Sequence, residues 1–336
     1  MTTVVEVEVD SLPMADGGGL QVRWVLEGES GSVDVAVGPT PETVDHRHAE
    51  TVPAERREVR LADPGPGRHY VSVSPTAGGS AVVASERRVP FEGVTNFRDL
   101  GGYPVAGGGR TRWGRVFRAD ALSGLNAVDL VTFERLGLRA VYDLRGDDER
   151  ELRPNPVPSV ALPLVGQPVM SYQEPGTGFD SLDLTHLEDG ERWLGSLYLG
   201  MLERSGPVFG QLLGGLVGDQ GTPAVFHCAG GKDRTGMAAA LLLLALGVDQ
   251  EVVLDDYVLS SRYRTRDSQA ASLAGLLATG MSAEAAAGVL TTPRHAMAAA
   301  LDVLRAEHGG AVAYLTGPGG LDLATIDQLR TDLVTP

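Results

Sequence analysis

The chain is short of two residue types above all. Its 336 residues include one cysteine, and one of its 28 basic side chains is lysine, every other being arginine. A single cysteine excludes an internal disulfide, so the fold cannot depend on an oxidising compartment. Positive charge is scarce as well: the formal net charge is −16, which excludes a protein whose main task is to coat nucleic acid or an anionic membrane. Any anionic ligand must therefore find local positive charge. The longest apolar run, residues 237–248, is too short to insert stably across a bilayer. The opening MTTVVEVEVD has neither the basic nor the apolar segment of a secretory signal. The expected location is the cytoplasm, with export lacking a recognisable signal left open. No histidine cluster has metal-ligand spacing, and His46 with His48 reads as loop. What is there, 43% apolar and 21% charged residues, is the composition of a globular protein, and the length favours two units over one core.

The rhythm of the chain divides accordingly, with expected units at 1–88 and 89–336. In the first, Val5, Val7 and Val9 alternate with Glu6, Glu8 and Asp10, as in a half-buried strand. Similar runs follow at LQVRWVL, SVDVAVG, REVRLA, HYVSVS and AVVASERRV, separated by turn residues, which predicts a small antiparallel β-sandwich with Trp24 in its core. From about Pro90 short apolar strands (RVFRA, RAVYDL, VALPL, PAVFHC) alternate with helical stretches, the pattern of a parallel α/β sheet flanked by helices. Helices are expected at 127–136, closed by Gly137, and at 235–246, closed by Gly247; Asp249 and Asp322 are expected N-caps, and RHAMAAALDVLRAEH should stop at Gly309.

Both rare residues lie in one stretch, HCAGGKDRTG, residues 227–236. A strand runs into His227 and Cys228, turns through Gly230 and Gly231, and enters an apolar helix. Strand, glycine-rich turn and helix N-terminus make an anion cradle, because successive amides point inward and the helix dipole adds positive potential. A cysteine at its mouth is favoured as the nucleophilic thiolate. Arg234 can hold two oxygens of a phosphoryl group in its planar fork.

The loop resembles the HCxxGxxR[ST] loop of cysteine-dependent protein tyrosine phosphatases. NFRDLGGY (96–103), VFRADAL (116–122), VYDLRGDDERE (141–151) and VLDDYVLSS (252–261) further resemble, in order, the bacterial atypical tyrosine, dual-specificity and lipid phosphatases. The likeness covers 89–336 and departs at Gly230, where relatives often carry alanine. The first unit resembles, by pattern, a fibronectin III or immunoglobulin-like domain. The phosphatase resemblance implies hydrolysis of phosphate monoesters through a phosphocysteine on Cys228. Arg234 and the amides of Ala229, Gly230, Gly231 and Lys232 would bind the phosphoryl oxygens, Thr235 would assist the sulfur, and His227 would brace the loop. It implies no metal and no cofactor.

Three general acids are open: Asp233, which matches the position proposed in that family, then Asp143, then Asp180 or Asp183. Lys232 is expected at the pocket rim, extending the substrates from phosphoproteins to phosphoinositides. Arg98 is expected to contact substrate, and Arg110, Arg112, Arg115 and Arg118 to stand near the entrance or support the fold. Arg262, Arg264, Arg266 and the segment 268–290 form either a lid or a peripheral helix pair. Against the phosphatase stand other readings. An arsenate reductase needs further cysteines, and a rhodanese-like sulfurtransferase lacks this loop pattern. A catalytically idle phosphate-binding adaptor, using the β-sandwich to hold a partner, remains the alternative.

Overall fold

The structure, a computed structural model, describes residues 3–12, 18–28, 31–65, 67–157 and 186–335. The chain divides into two compact units, Met1–Val89 and Pro90–Pro336.

The first unit is built from β1 (Thr3–Ser11), β2 (Leu20–Glu27), β3 (Ser32–Gly38), β4 (Glu50–Pro53), β5 (Glu58–Leu61), β6 (Tyr70–Pro75) and β7 (Val82–Ser85). They form two antiparallel sheets of order β1-β2-β5 and β4-β3-β6-β7, with β1 lying against β6 and β7. Trp24 is buried between them and its indole N–H donates to Ala54 O at 3.3 Å. The alternation along β1 is interrupted. A register shift between Val4 and Glu6 turns Val4, rather than Val5, into the core beside Val9.

The second unit begins with β8 (Arg98–Asp99), β9 (Arg110–Thr111), β10 (Val116–Ala119), α1 (Ala127–Arg135), β11 (Ala140–Asp143) and α2 (Asp147–Leu152). After the segment that is not described come α3 (Leu187–Arg204), α4 (Gly206–Gly214), β12 (Ala224–His227), α5 (Asp233–Ala245) and α6 (Gln250–Tyr263). The chain ends with α7 (Arg266–Ala278), α8 (Ala283–Leu290), α9 (Arg294–His308), α10 (Ala311–Thr316), α11 (Leu323–Leu333) and β13 (Val334–Thr335). The expected strand VALPL lies outside the described residues.

The main sheet has the order β11-β12-β10-β8. Two of its three pairings are made by β12, which runs parallel to both neighbours, whereas β8 joins antiparallel to β10. The sheet is thus mixed rather than parallel throughout, an antiparallel edge strand on a parallel core. Within GYPVAGGGR, residues 102–110, Pro104 bridges Arg110, and β9 pairs with β13. Helix α5 is buried along almost its whole length, and it begins two residues earlier than the apolar run alone predicts, at Asp233. Asp249 and Asp322 cap α6 and α11, and Gly309 closes α9 in the left-handed conformation. Helices α3 and α8 touch backbone to backbone through Gly190 and Gly288. Among the described residues no helix is long and apolar enough to cross a membrane.

Candidate active site

The pairing register of the sheet brings the site together. Ala119 of β10 and Asp143 of β11 both lie level with His227, the last residue of the strand between them. The loop that follows thus leaves the carboxyl ends of three parallel strands, where open α/β sheets hold their ligands. Cys228 sits there with 3% of its surface exposed, and Ala229 is the exposed residue of the loop.

What shapes the loop is the treatment of its carbonyls. Cys228 O accepts from His227 Nδ1 (3.2 Å), Ala229 O from Ala121 N (3.1 Å) and Gly230 O from Asn96 Nδ2 (3.1 Å). Gly231 O accepts from both Asn96 Nδ2 (3.1 Å) and Arg118 Nη2 (2.8 Å). Four successive carbonyls are claimed by donors packed around the loop, an arrangement in which the opposite face of the backbone can present amides to an anion. Gly231 has φ of 64°, and a Cβ there would stand 2.6 Å from the Ala119 carbonyl. Only glycine fits this turn.

Behind the loop is a buried electrostatic frame centred on Asp256 of α6. Its carboxylate receives Arg98 Nε at 3.0 Å, Arg118 Nη1 at 2.5 Å and the Tyr103 hydroxyl at 2.8 Å. Arg98 also donates to Asn96 Oδ1, Asp256 O and Ser260 Oγ, at 2.5, 2.9 and 3.2 Å. Asp120 holds the amide of Asn96 at 2.9 Å. Burial, then the neighbouring charge of Arg98, lowers Arg118 to about 10, with Asp256 acting in the opposite sense. Arg98 is wholly buried, so the expected substrate contact is corrected to a positioning role: it orients Asn96, which holds the loop. The same holds for Arg118, and neither lines an entrance.

Arg234 enters from the first turn of α5, and its guanidinium is met by the carboxylate of Glu149 from α2: Nη1 to Oε2 at 2.5 Å and Nη2 to Oε1 at 2.9 Å. Burial works to raise the Glu149 pKa, and the Arg234 fork overrides it, holding the carboxyl below its ordinary value. Glu149 also accepts from Gly146 N at 2.9 Å, which ties its reach to the start of its own helix. The sequence showed a run of acids here and gave no means of choosing among them.

His227 is buried and donates through Nδ1 to Cys228 O; its Nε2 meets Asn155 Nδ2 at 3.1 Å. Burial lowers its pKa to about 4 against the pull of Asp143, so the ring is neutral at pH 7. Asp143 itself is gripped by Arg145, with Nη2 to Oδ2 at 2.7 Å and Nε to Oδ1 at 2.9 Å. Burial would raise this carboxyl, but Arg145 holds it below the ordinary range. It is a brace on Arg145 and Asn155 in this structure. Thr235 Oγ1 is buried and takes no hydrogen bond among the described residues.

Lys232 departs furthest from expectation. Its ammonium is buried, not at a rim, and its three protons meet Val289 O at 2.8 Å, Thr291 O at 2.7 Å and Asp233 Oδ1 at 2.9 Å. Burial lowers its pKa, with Asp233 opposing. Lys232 therefore ties the loop to the end of α8. Asp233 is buried too, and its Oδ1 accepts from the Tyr198 hydroxyl at 2.7 Å. Another cation beside the loop is Arg264, which follows α6: a Cβ on Gly230 would meet its Nη2 at 3.3 Å. Alanine there would crowd that guanidinium, which gives the Gly230 departure a local reason. Asp180 and Asp183 lie outside the described residues.

A model of the tyrosine phosphatase family matches residues 89–335. The chain belongs to the tyrosine phosphatase family. A protein of Cupriavidus necator named for tyrosine-protein phosphatase activity is 30% identical over 264 residues, covering 77% of this chain and 93% of that one. The triple specificity protein phosphatase PtpB of Mycobacterium tuberculosis is 30% identical over 269 residues, 71% of this chain and 96% of its own length. A tyrosine-protein phosphatase of Nostoc commune is 29% identical over 229 residues, 64% of this chain and 73% of that protein. This tyrosine phosphatase family member is accordingly a phosphatase-class hydrolase, and the cradle just described stands within its matched region.

Proposed function

We propose that this phosphatase hydrolyses phosphate monoesters through a phosphocysteine intermediate. The carrying observation is the tethering of four successive loop carbonyls around Cys228, which supports assigning the amides from Ala229 to Lys232 to the phosphoryl oxygens. In the first step the Cys228 thiolate attacks phosphorus. The S–P bond forms, the bond to the leaving oxygen breaks, and Asp233 supplies the proton that oxygen takes up. Water then attacks phosphorus with its proton passing to the Asp233 carboxylate, and the P–S electron pair returns to sulfur. The Thr235 hydroxyl, without a hydrogen bond among the described residues, supports a role in hydrogen-bonding that departing sulfur. Arg234, aligned by Glu149, meets the equatorial oxygens as charge spreads over them.

Phosphotyrosine is the first substrate class we assign. The name of the triple specificity relative supports extension to phosphoserine, phosphothreonine or phosphoinositides. Lys232 lends phosphoinositides no direct contact while α8 holds its ammonium. The first unit, with its sheets β1-β2-β5 and β4-β3-β6-β7, is assigned as a fibronectin III or immunoglobulin-like sandwich, without an identified partner. Turnover of p-nitrophenyl phosphate is the test. It should be inhibited by vanadate and fall by at least about a thousandfold in Cys228→Ser. Phosphopeptide binding with no turnover by the wild type would sink the proposal and favour an adaptor. A panel of phosphopeptides and phosphoinositides then ranks the substrates.

A further inference from the structure

The Asp233 carboxyl sits at the end of a directed chain of buried hydroxyls that the reaction as written does not use. The Tyr198 hydroxyl, from α3, lies 2.7 Å from Asp233 Oδ1 and 2.6 Å from the hydroxyl of Tyr257, from α6. Tyr198 has one proton. If it goes to Asp233, the second contact must be donated by Tyr257, and the order is fixed as Tyr257 to Tyr198 to Asp233. Both tyrosines are buried, at 0% and 1% exposure, with their rings edge-on at a centroid distance of 6.1 Å. Burial first, and the negative charge of Asp233 next, raises both phenols well above their ordinary value. They therefore remain donors throughout any working pH range. Lys232 approaches the same Oδ1 at 2.9 Å while Val289 O and Thr291 O hold it from α8.

We infer that Tyr198, backed by Tyr257, is a positioning residue that sets the protonation of Asp233 and so decides the pH at which the enzyme cleaves esters with poor leaving groups. This rests on the reading of Asp233 as general acid. A hydrogen bond donated to a carboxylate favours its charged form, and so does the Lys232 ammonium. Both act against burial, which favours the neutral acid. The surroundings add positive charge: Arg118 of β10 and Arg264 face Tyr257, and Arg264, with the Cys228 sulfur opposing it, faces Lys232. On the α8 side the Thr291 hydroxyl donates to Gly288 O at 2.7 Å and lies 3.3 Å from the Glu191 carboxylate of α3. Replacing one phenol leaves all of these in place. The consequence is a carboxylate held ready to take a proton from water in the second step, and an acid that loses its proton early as pH rises in the first.

The sign follows. Removing the Tyr198 hydroxyl raises the pKa of Asp233, so the acid keeps its proton to higher pH. In Tyr198→Phe the basic limb of kcat/KM for phenyl phosphate should move up by about one pH unit. With p-nitrophenyl phosphate, whose leaving group needs little protonation, the profile should stay in place. Tyr257→Phe should give a smaller shift of the same sign, and it provides the measurement if Tyr198→Phe does not fold. An unmoved limb in a folded variant, or an equal loss for both esters at every pH, overturns the inference. Asp233→Asn run alongside separates the two readings. If it cleaves phenyl phosphate as well as the wild type, the acid assignment fails and the inference with it; if it is impaired while the tyrosine variants keep the wild-type limb, the inference alone fails.

Discussion

At the scale of single residues, the side chains proposed to meet a phosphoryl group were legible and those that hold them were not. Cys228, Arg234 and the loop glycines announce themselves because their chemistry is rare and their spacing tight. Glu149 does not, since a carboxylate in an acidic run has no identity until the fold aims it at a guanidinium. Asn96 and Asp256 were visible only as letters in NFRDLGGY and VLDDYVLSS. Their roles depend on contacts across long stretches of chain, as between Arg98 and Asp256. Tyr198 left no mark in the sequence, being one apolar-looking position on a buried helix face. Glu149 can be tested directly. Glu149→Gln keeps the shape and removes the charge that aligns Arg234. Because a misaligned fork loses its bidentate geometry, kcat/KM should fall about 10- to 100-fold. Thermal stability should fall modestly as well, since the buried Arg234 guanidinium loses its charged partner. Steady-state kinetics beside a melting curve checks both; full activity would remove Glu149 from the machinery.

At the scale of elements, the helices that end in glycine or begin at aspartate were readable from their caps, and β10, β11 and β12 from their apolar runs. The antiparallel β8 and the pairing of β9 with β13 were not, because two-residue strands carry no periodicity. Nor was the closeness of α3 and α8, which matters for the site. A Cβ on Gly288 would come 2.1 Å from Leu187 O, and one on Gly190 2.3 Å from Ala285 O. The close seat of α8 also delivers Val289 O and Thr291 O to Lys232. Gly288→Ala should therefore separate the helices, destabilise the second unit by about 1–3 kcal/mol and reduce turnover by loosening the loop. A lowered urea midpoint with lowered kcat fits that coupling. An equally stable variant would show that the two helices separate without cost.

At the scale of the whole phosphatase unit, the sequence carried its class through a rhythm of strands and helices, but not the balance of charges buried in it. That balance makes a prediction about acid. His227 is buried neutral with a pKa of about 4, against an ordinary value of 6.5 in the unfolded chain. Between those two values the unfolded state binds the extra proton, so stability falls as pH is lowered and is fully present above 6.5. One proton over that window corresponds to about 3 kcal/mol lost on reaching pH 4. Asp143 and Glu149 add to it with the same sign. Both are held below their ordinary values, so their contribution is present above those values and disappears as pH falls through the lowered ones. Urea midpoints at pH 7, 6, 5 and 4 should decline steadily in the wild type. In His227→Asn, which removes the titration but keeps an amide to donate to Cys228 O, the decline between pH 6 and 5 should flatten. An unchanged slope in that variant would mean that the imidazole is protonated in the native protein, and that a buried cation, not a neutral brace, stands behind the loop.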